Sequence, residues 1–560
     1  MTTHEGPMQA GQLAQPWLRW PRLALALFCL ILWLPGLFSV PPIDRDEARF
    51  AQASKQMIES GDYVDIRFGE EPRYKKPVGI YWLQATATQI AGGGHLNHIW
   101  TYRLPSLLGA LSAALLAFWC ARAFASIETA FWAALFFAAS LLLAVEATLA
   151  TTDAVLTAAI LVFQGFLFRL HQSARSALAP PGRAMAAAAW AALGLAILVK
   201  GPVAPAVAGL TALAVSLWDR DAKWLKPARP LMGLAIAAVI VAPWLIAIAV
   251  KSEGAFFQKS LGHDFLAKVA SGQESHGAPP GYYFLLSGAT FWPTTLFLLP
   301  GLLATFRRRA EPAMRFLLGW AIPTWLMFEL VPTKLPHYIL STYPALAMMA
   351  AVVLAEGATR AERDRLSRWL WTLAGLEYGL ALVGFAVAAL VVPLFYGDGF
   401  PYLLVLPVAL FVAAGVLALA AWRGGRFRRS AGFAVLSAFI LYPTLTLGLV
   451  PALDRLWVSP RLAESVGTAS TPNAPPPAAV GFTEPSLRFL LGTGTLLSNA
   501  DDAADRLGAG GLALVEQKSL DKFQEALAAR GLKAEQIDSV DGFNYSRGKP
   551  VTIDVFRRAP

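Results

Sequence analysis

The chain has 560 residues, of which 56% are hydrophobic and only 15% charged, and its mean hydropathy is +0.50. Ordinary globular chains carry roughly 25% charged residues, so a disordered chain, a secreted disulfide scaffold and a cytosolic enzyme are excluded, and a polytopic α-helical membrane protein remains. The net charge of +10 does not signal nucleic acid: from Asp454 onward there are 12 basic and 13 acidic residues, so the excess sits in the membrane part.

A helix crossing the hydrocarbon core needs roughly 20 apolar residues. Such runs occur near 22–40, 103–121, 128–146, 149–168, 184–200, 203–218, 230–250, 282–305, 316–332, 337–355, 369–394, 401–422 and 430–452, which predicts 13 spans. The first run follows Arg19 and Arg22, but Phe38-Ser39-Val40-Pro41-Pro42 offers no small-residue cleavage site, so it reads as a retained helix. Cys29 and Cys120 fall inside apolar runs. That leaves the loops without a thiol nucleophile or a cysteine metal ligand.

Basic clusters fall on alternate loops: Arg169, Arg175 and Arg183; Lys223, Lys226 and Arg229; Arg307 to Arg309; Arg360, Arg363 and Arg365; Arg423 to Arg429. Excess Lys and Arg marks the cytoplasmic side. The N-terminus is then cytoplasmic, while loop 41–100, loop 251–281 and the segment 454–560 lie outside. This predicts a transmembrane domain over 1–453 and a soluble α/β domain over 454–560. In the latter, Ala478–Thr483, Gly511–Glu516 and Val551–Phe556 read as strands and Leu520–Ala529 as a helix, after the Pro472–Pro477 linker.

The first outer loop is dense in charge, with eight acidic and seven basic side chains in residues 41–77. Asp46 to Gly61 reads as an amphipathic helix, Phe50, Met57 and Ile58 supplying the apolar face and Gly61 the stop. Pro77 to Ile90 is apolar but too short to span, so it lies along the interface.

Four constellations could carry chemistry. In Arg45-Asp46-Glu47-Ala48-Arg49, a carboxylate and a cation share one helical face beside the bilayer, although acids at a helix start also complement its dipole. Glu70-Glu71-Pro72-Arg73-Tyr74-Lys75-Lys76-Pro77, followed by Tyr81-Trp82, places a basic pair beside aromatic anchors; this suits a phosphate or an interfacial girdle. Asp153 lies at the outer end of a span, where an ionisable residue is costly and either functional or a helix cap. Pro332-Thr333-Lys334-Leu335-Pro336-His337-Tyr338 forms a tight outer turn rich in donors. Arg103, Lys200, His263 and Asp264 fall on the same side, His263 reading more readily as a surface loop residue because it lacks ligand spacing. No Walker sequence or dinucleotide fingerprint occurs, so no nucleotide cofactor is implied, and the residues leave a divalent-metal requirement open.

Arg45-Asp46-Glu47-Ala48-Arg49-Phe50-Ala51, Gly61-Asp62-Tyr63-Val64, Pro72 to Pro77 and Tyr81-Trp82-Leu83 resemble the first outer loop of the polyprenyl-phosphate-sugar glycosyltransferases of the GT-C fold. Thr152-Asp153, Lys200-Gly201-Pro202, Lys334 to Tyr338 and the tail Asp541–Gly548 follow in the expected order, and the pattern is similar to the lipid A 4-amino-4-deoxy-L-arabinose transferases, the ArnT family. One departure is Lys76-Pro77-Val78-Gly79, where many relatives carry Lys-Pro-Pro-Leu. The resemblance implies an inverting transfer of aminoarabinose from undecaprenyl phosphate to a lipid A phosphate on the periplasmic side of the bacterial inner membrane, giving resistance to polymyxin and other cationic peptides. It places Asp46 nearest the reacting centre, and together with the four constellations gives catalytic roles to Asp46, Asp153 and Lys76. Substrate binding would fall to Glu47, Arg49, Arg73, Tyr74, Lys75, Tyr81, Arg103, Lys200, His263, Lys334, His337 and Tyr338. A protein O-mannosyltransferase-like enzyme and a lipid or sugar flippase are the alternatives, although flippases and transporters place polar residues near the midplane rather than at one face.

Overall fold

The computed structural model describes residues 19–176, 179–265, 277–356, 364–471 and 474–559. Among them, nine helices are long and apolar enough to cross a membrane, and ten if one bent pair counts as a span. The chain begins with α1 (Pro21–Ser39), then α2 (Asp46–Ser60), α3 (Gly79–Ala91), α4 (Ile99–Ala121), α5 (Ile127–Ala139), α6 (Leu141–Ala147), α7 (Asp153–Ala174), α8 (Arg183–Lys200), α9 (Val203–Asp219) and α10 (Pro230–Lys251). α5 and α6 form the bent pair, at 64°.

Length and hydropathy thus account for ten of the thirteen runs. Of the other three, α9 has only 17 residues. The run 282–305 is broken into Tyr282–Thr290 and Thr295–Arg307. The third, Pro312–Leu330, carries Arg315 and Glu329. The run expected to start at 149 becomes helical only at Asp153. The residues before it form a turn because Glu47 accepts the Ala150 amide and Glu146 the Thr151 hydroxyl, which diverts them from a helical ladder.

α2 follows its sequence signals. Ala48, Phe50, Ala51, Ala53 and Met57 face inward, and Gly61 ends the helix in the left-handed conformation (φ 71°) that a side chain would disfavour. Before it, Arg45 holds φ at 71° without being glycine, a strained backbone directly preceding Asp46. Gly79, the departure from the family pattern, is explained by packing. A Cβ there would stand 2.8 Å from the Leu198 carbonyl, so glycine lets α3 close on α8 near Lys200.

The C-terminal part forms a five-stranded sheet, whose strands in spatial order are β4 (Leu496–Ser498), β3 (Ala478–Val480), β5 (Ala513–Glu516), β7 (Lys549–Arg558) and β6 (Ala534–Asn544), after a hairpin of two-residue strands β1 (Arg67–Phe68) and β2 (Glu71–Pro72) in the first loop. β3 pairs in parallel with β4 and β5. β7 runs antiparallel to β5 and to β6. The apolar stretches expected as strands are β3, β5 and β7. β6, largely polar and at the sheet edge, carries too little alternation to be seen in the sequence.

This sheet domain grips the first loop beside the strained residue. The Asp44 amide donates to Tyr545 Oη at 2.7 Å, the Ser486 amide donates to Asp44 Oδ1 at 3.0 Å, and the Arg45 guanidinium donates to the Ser546 carbonyl. Burial, reinforced by Glu484, pushes the Asp44 carboxyl up to about 6 despite its bonds to Ser486 and Tyr545. The docked form therefore binds the extra proton, so its stability is full below the ordinary aspartate range near 4 and falls as pH rises through about 6. Asp44→Asn, which mimics the protonated state, is expected to raise the melting temperature in detergent at pH 8 and to match wild type at pH 4.5. A deficit at pH 8 would contradict this account.

Candidate active site

Five segments converge at one face of the bundle: the start of α2, the stretch after β2, the turn before α7, the end of α8 and the turn 333–338. Together they line a cavity of about 670 Å³, counting its open mouth, with Asp46, Arg73, Lys76, Asp153, Lys200 and His337 around it. Lys75, Phe50, Thr151, Thr152, Thr333, Leu335 and Tyr338 complete the wall.

Asp46 is the first residue of α2, where a carboxylate complements the helix dipole. Its side chain is 52% exposed to the cavity, and Arg73 Nη2 lies 3.9 Å away. Burial by the surrounding walls would raise its pKa, but the charges of Arg73, His337, Lys76 and Arg49 outweigh that and hold Asp46 below the usual carboxylate range. Arg73 is itself buried, its guanidinium 5.4 Å above the Phe50 ring.

Asp153 starts α7 and is buried, and both its oxygens accept from Lys200 Nζ, at 2.6 and 2.7 Å. The Thr152 hydroxyl adds a bond of 2.9 Å. Across the cavity, His337 stands between two carboxylates, Nε2 3.8 Å from Asp153 and Nδ1 3.7 Å from Glu146. Lys200 Nζ also lies 5.1 Å from the Tyr338 ring centre. Two carboxylates and several cations thus share one recess, an arrangement fitted to hold a phosphorylated, polar ligand.

A second cavity, apolar and about 1950 Å³ with its open mouth, adjoins the first and shares Lys75, Lys76, Asp153, Lys200 and Tyr338 with it. Leu156, Leu198, Val241, Phe256, Met327 and Phe328 are among the side chains that make it oily. Among the described residues no group of three or more His, Cys, Asp or Glu is placed to hold a metal ion.

Residues 75–246 match the dolichyl-phosphate-mannose-protein mannosyltransferase family. The chain is 30% identical over 446 residues to the undecaprenyl phosphate-α-4-amino-4-deoxy-L-arabinose arabinosyl transferase of Pectobacterium carotovorum, covering 76% of this chain and 75% of that one. The chain belongs to that arabinosyl transferase family. The Pseudomonas paraeruginosa relative is 28% identical over 507 residues, covering 85% and 82% of the two chains. The fold matches the crystal structure of ArnT from Cupriavidus metallidurans bound to undecaprenyl phosphate, with TM-score 0.73 and 21% identity over 97% of this chain and 98% of that one. An archaeal oligosaccharyltransferase, AglB from Archaeoglobus fulgidus, matches with TM-score 0.54 and 13% identity over 90% and 70%. As an arabinosyl transferase family member the chain is a multi-pass membrane glycosyltransferase of the GT-C fold.

Within this family member, several residues expected to bind substrate are engaged in contacts within the fold. Arg103 is fully buried: its guanidinium clasps both Glu47 oxygens at 2.8 Å and donates to the carbonyls of Leu37, Val40 and Pro41. Glu47 in turn accepts the amides of Ile43 and Ala150. This pair ties the end of α1, the first loop and the turn before α7 together. Lys334 points away from the cavity and donates to the carbonyls of Glu329 and Val331 at 2.7 and 2.9 Å, with the Glu329 carboxylate 3.7 Å off. It satisfies the last carbonyls of helix Pro312–Leu330.

Tyr74 is buried and donates to Asp65 at 2.7 Å; burial and Asp65 push its hydroxyl up to about 12. Tyr81 is buried against Phe50. Arg49 acts on Asp46 through charge but lies outside the cavity wall. The side chain of His263 lies outside the described residues. Conversely, Phe50 and Thr151 line the cavity and Glu146 stands behind His337, and the sequence reading assigns none of these to the site. Glu146 has a signal, an acid within the apolar run Leu141–Ala147.

Arg103→Lys keeps the charge but loses the planar fork, and it is expected to lower stability by ~2 kcal/mol. Transfer per folded molecule, read against a melting curve, should stay close to wild type, because the guanidinium is spent on Glu47 and on carbonyls outside the cavity wall. A large loss of turnover in fully folded Arg103→Lys would return this residue to the site.

Proposed function

We propose that the chain transfers 4-amino-4-deoxy-L-arabinose from undecaprenyl phosphate to a phosphate of lipid A at the periplasmic face of the bacterial inner membrane, with inversion at the anomeric carbon. The observation that carries this reading is the junction of the two cavities. A polyprenyl-phosphate sugar needs a long oily cavity ending in a polar chamber with cations, and here Lys76, Asp153, Lys200 and Tyr338 stand at the shared wall. Family membership supports the same donor and sugar.

In this scheme the acceptor phosphate oxygen attacks the anomeric carbon while the bond from that carbon to the undecaprenyl phosphate oxygen breaks. The acceptor is already an anion, so no proton has to be removed from it. Lys76 and Arg73 hold the departing phosphate, and Lys200 supports it from beside Asp153. Asp46, kept ionised by its cationic neighbours, binds the sugar ammonium and orients the ring. His337 links Asp153 to Glu146 and fixes that side of the chamber.

Mass spectrometry of lipid A tests the function directly, in a strain lacking its own transferase but supplied with the donor. Expression of this chain should add aminoarabinose to lipid A phosphates, and unmodified lipid A despite membrane-inserted protein would reject the proposal. Orientation has its own test. Asp501 is exposed in the sheet domain, whereas Cys29 and Cys120 are fully buried. Asp501→Cys should react with an impermeant maleimide once only the outer membrane is permeabilised. Labelling that requires a broken inner membrane would reverse the topology.

A further inference from the structure

A groove unrelated to the candidate site lies at the opposite face. The helix Tyr343–Glu356 leads away from the turn 333–338, so Arg365–Tyr396 begins at that far face and Tyr402–Arg423 ends there. Between these last two helices is a cavity of about 990 Å³, counting open solvent, walled by Arg368, Trp371, Gly375, Leu419, Trp422 and Arg423. Trp371 and Trp422 stack at 4.1 Å between ring centres, and Trp422 packs edge-on against Phe427, which makes a rigid aromatic floor. Gly375 keeps the groove open: a Cβ there would meet only Trp422 Nε1, at 3.9 Å, so a larger side chain would fill the space rather than clash with backbone. A second cavity, about 660 Å³, continues past Arg368 beside Trp369 and Leu373.

Charge sets this groove apart from its surroundings. Nearby Arg307 pairs with Asp364, and Arg428 with Glu128. Among the described residues Arg368 and Arg423 close no ion pair with a carboxylate, and both are exposed. Beyond them the surface turns apolar at once, with Leu376 and Leu380 exposed on the same helix. Paired guanidiniums, then an aromatic shelf, then bare hydrocarbon-facing leucines reproduce the order of an anionic lipid from headgroup to acyl chain.

We propose that this groove binds an anionic phospholipid of that leaflet, its phosphate held between Arg368 and Arg423, its glycerol region over Trp371 and its acyl chains along Leu376 and Leu380. With Arg365, Arg368 and Arg423 and no carboxylate in the two cavity walls, a lipid carrying two phosphates, such as a diphosphatidylglycerol, fits best. The site is distinct from the donor cavity, which shares none of these residues.

Native mass spectrometry of the full-length, delipidated protein tests the proposal. Diphosphatidylglycerol is expected to bind at least roughly tenfold more tightly than phosphatidylethanolamine, since each arginine should contribute roughly fivefold, the equivalent of ~1 kcal/mol for a basic residue at a membrane surface. Arg368→Ala/Arg423→Ala should therefore abolish the preference, and Gly375→Leu, which keeps both charges, should weaken binding by filling the groove. Lys226→Ala/Arg429→Ala, removing two cations of the same face, should retain it, and inorganic phosphate should not displace the lipid. Equal retention of both lipids by wild type, an unaltered preference in the double arginine variant, an equal loss in the lysine–arginine control, or displacement by phosphate alone would each overturn the proposal.

Discussion

Asp46→Asn is expected to insert and fold yet lose at least roughly 100-fold in transfer, equivalent to ~2.7 kcal/mol of transition-state stabilisation. Folding survives because Asp46 is the first residue of α2 rather than its cap and its side chain opens to the cavity. What asparagine removes is the helix-dipole complement and a loose pairing with Arg73 at 3.9 Å, together ~1 kcal/mol. Catalysis does not survive because the lost charge is the one that Arg73, Lys76 and Arg49 surround. The pH dependence then separates two roles. A general base replaced by asparagine would be partly substituted by hydroxide, so residual activity would climb as pH rises above neutral. An orienting carboxylate leaves a flat profile, which is the result expected here. Near-wild-type transfer by Asp46→Asn would remove it from the site.

Lys200→Met is expected to damage both stability and turnover. It leaves the buried Asp153 carboxylate without its two short bonds, with only Thr152 and the more distant His337 to answer it. Breaking one side of a buried pair costs ~3–5 kcal/mol. Loss of a cation from the phosphate chamber should separately cost on the order of 100-fold in turnover. The double variant Asp153→Asn/Lys200→Met distinguishes these effects, since it removes both charges at once and should regain most of the melting temperature. Transfer should stay low. Recovery of transfer along with stability would make the pair a structural strut alone.

Much of this architecture is readable from residue order. Asp46 to Gly61 announces a helix by its apolar spacing and its glycine stop, and the helix ends as expected. Asp153 and Lys200 stand at the ends of apolar runs on the same predicted side, and they meet in space. Partner choice is not readable. Arg103, Glu47 and Lys334 all bear the charges that recognition of a charged substrate requires, yet each is consumed within the fold by the carbonyls of helix ends or by one another. A one-dimensional pattern shows that a charge lies near the bilayer and is silent on which backbone carbonyls it reaches, as with Lys334 Nζ 2.7 Å from the Glu329 carbonyl. The strain at Arg45 and the grip of Tyr545 and Ser486 on Asp44 depend on contacts across hundreds of residues, which no local spacing encodes.

If the joined cavities move a sugar from a lipid phosphate onto another phosphate, an assay with purified protein will show it most directly. Polyprenyl-phosphate aminoarabinose is supplied as donor, with lipid A, dephosphorylated lipid A or a Ser/Thr-containing peptide as acceptor, and the products are read by mass spectrometry. Sugar is expected on the phosphate of intact lipid A, none on the other two acceptors, and almost none with Asp46→Asn. Sugar on the peptide hydroxyl, or on lipid A stripped of its phosphates, would contradict this mechanism.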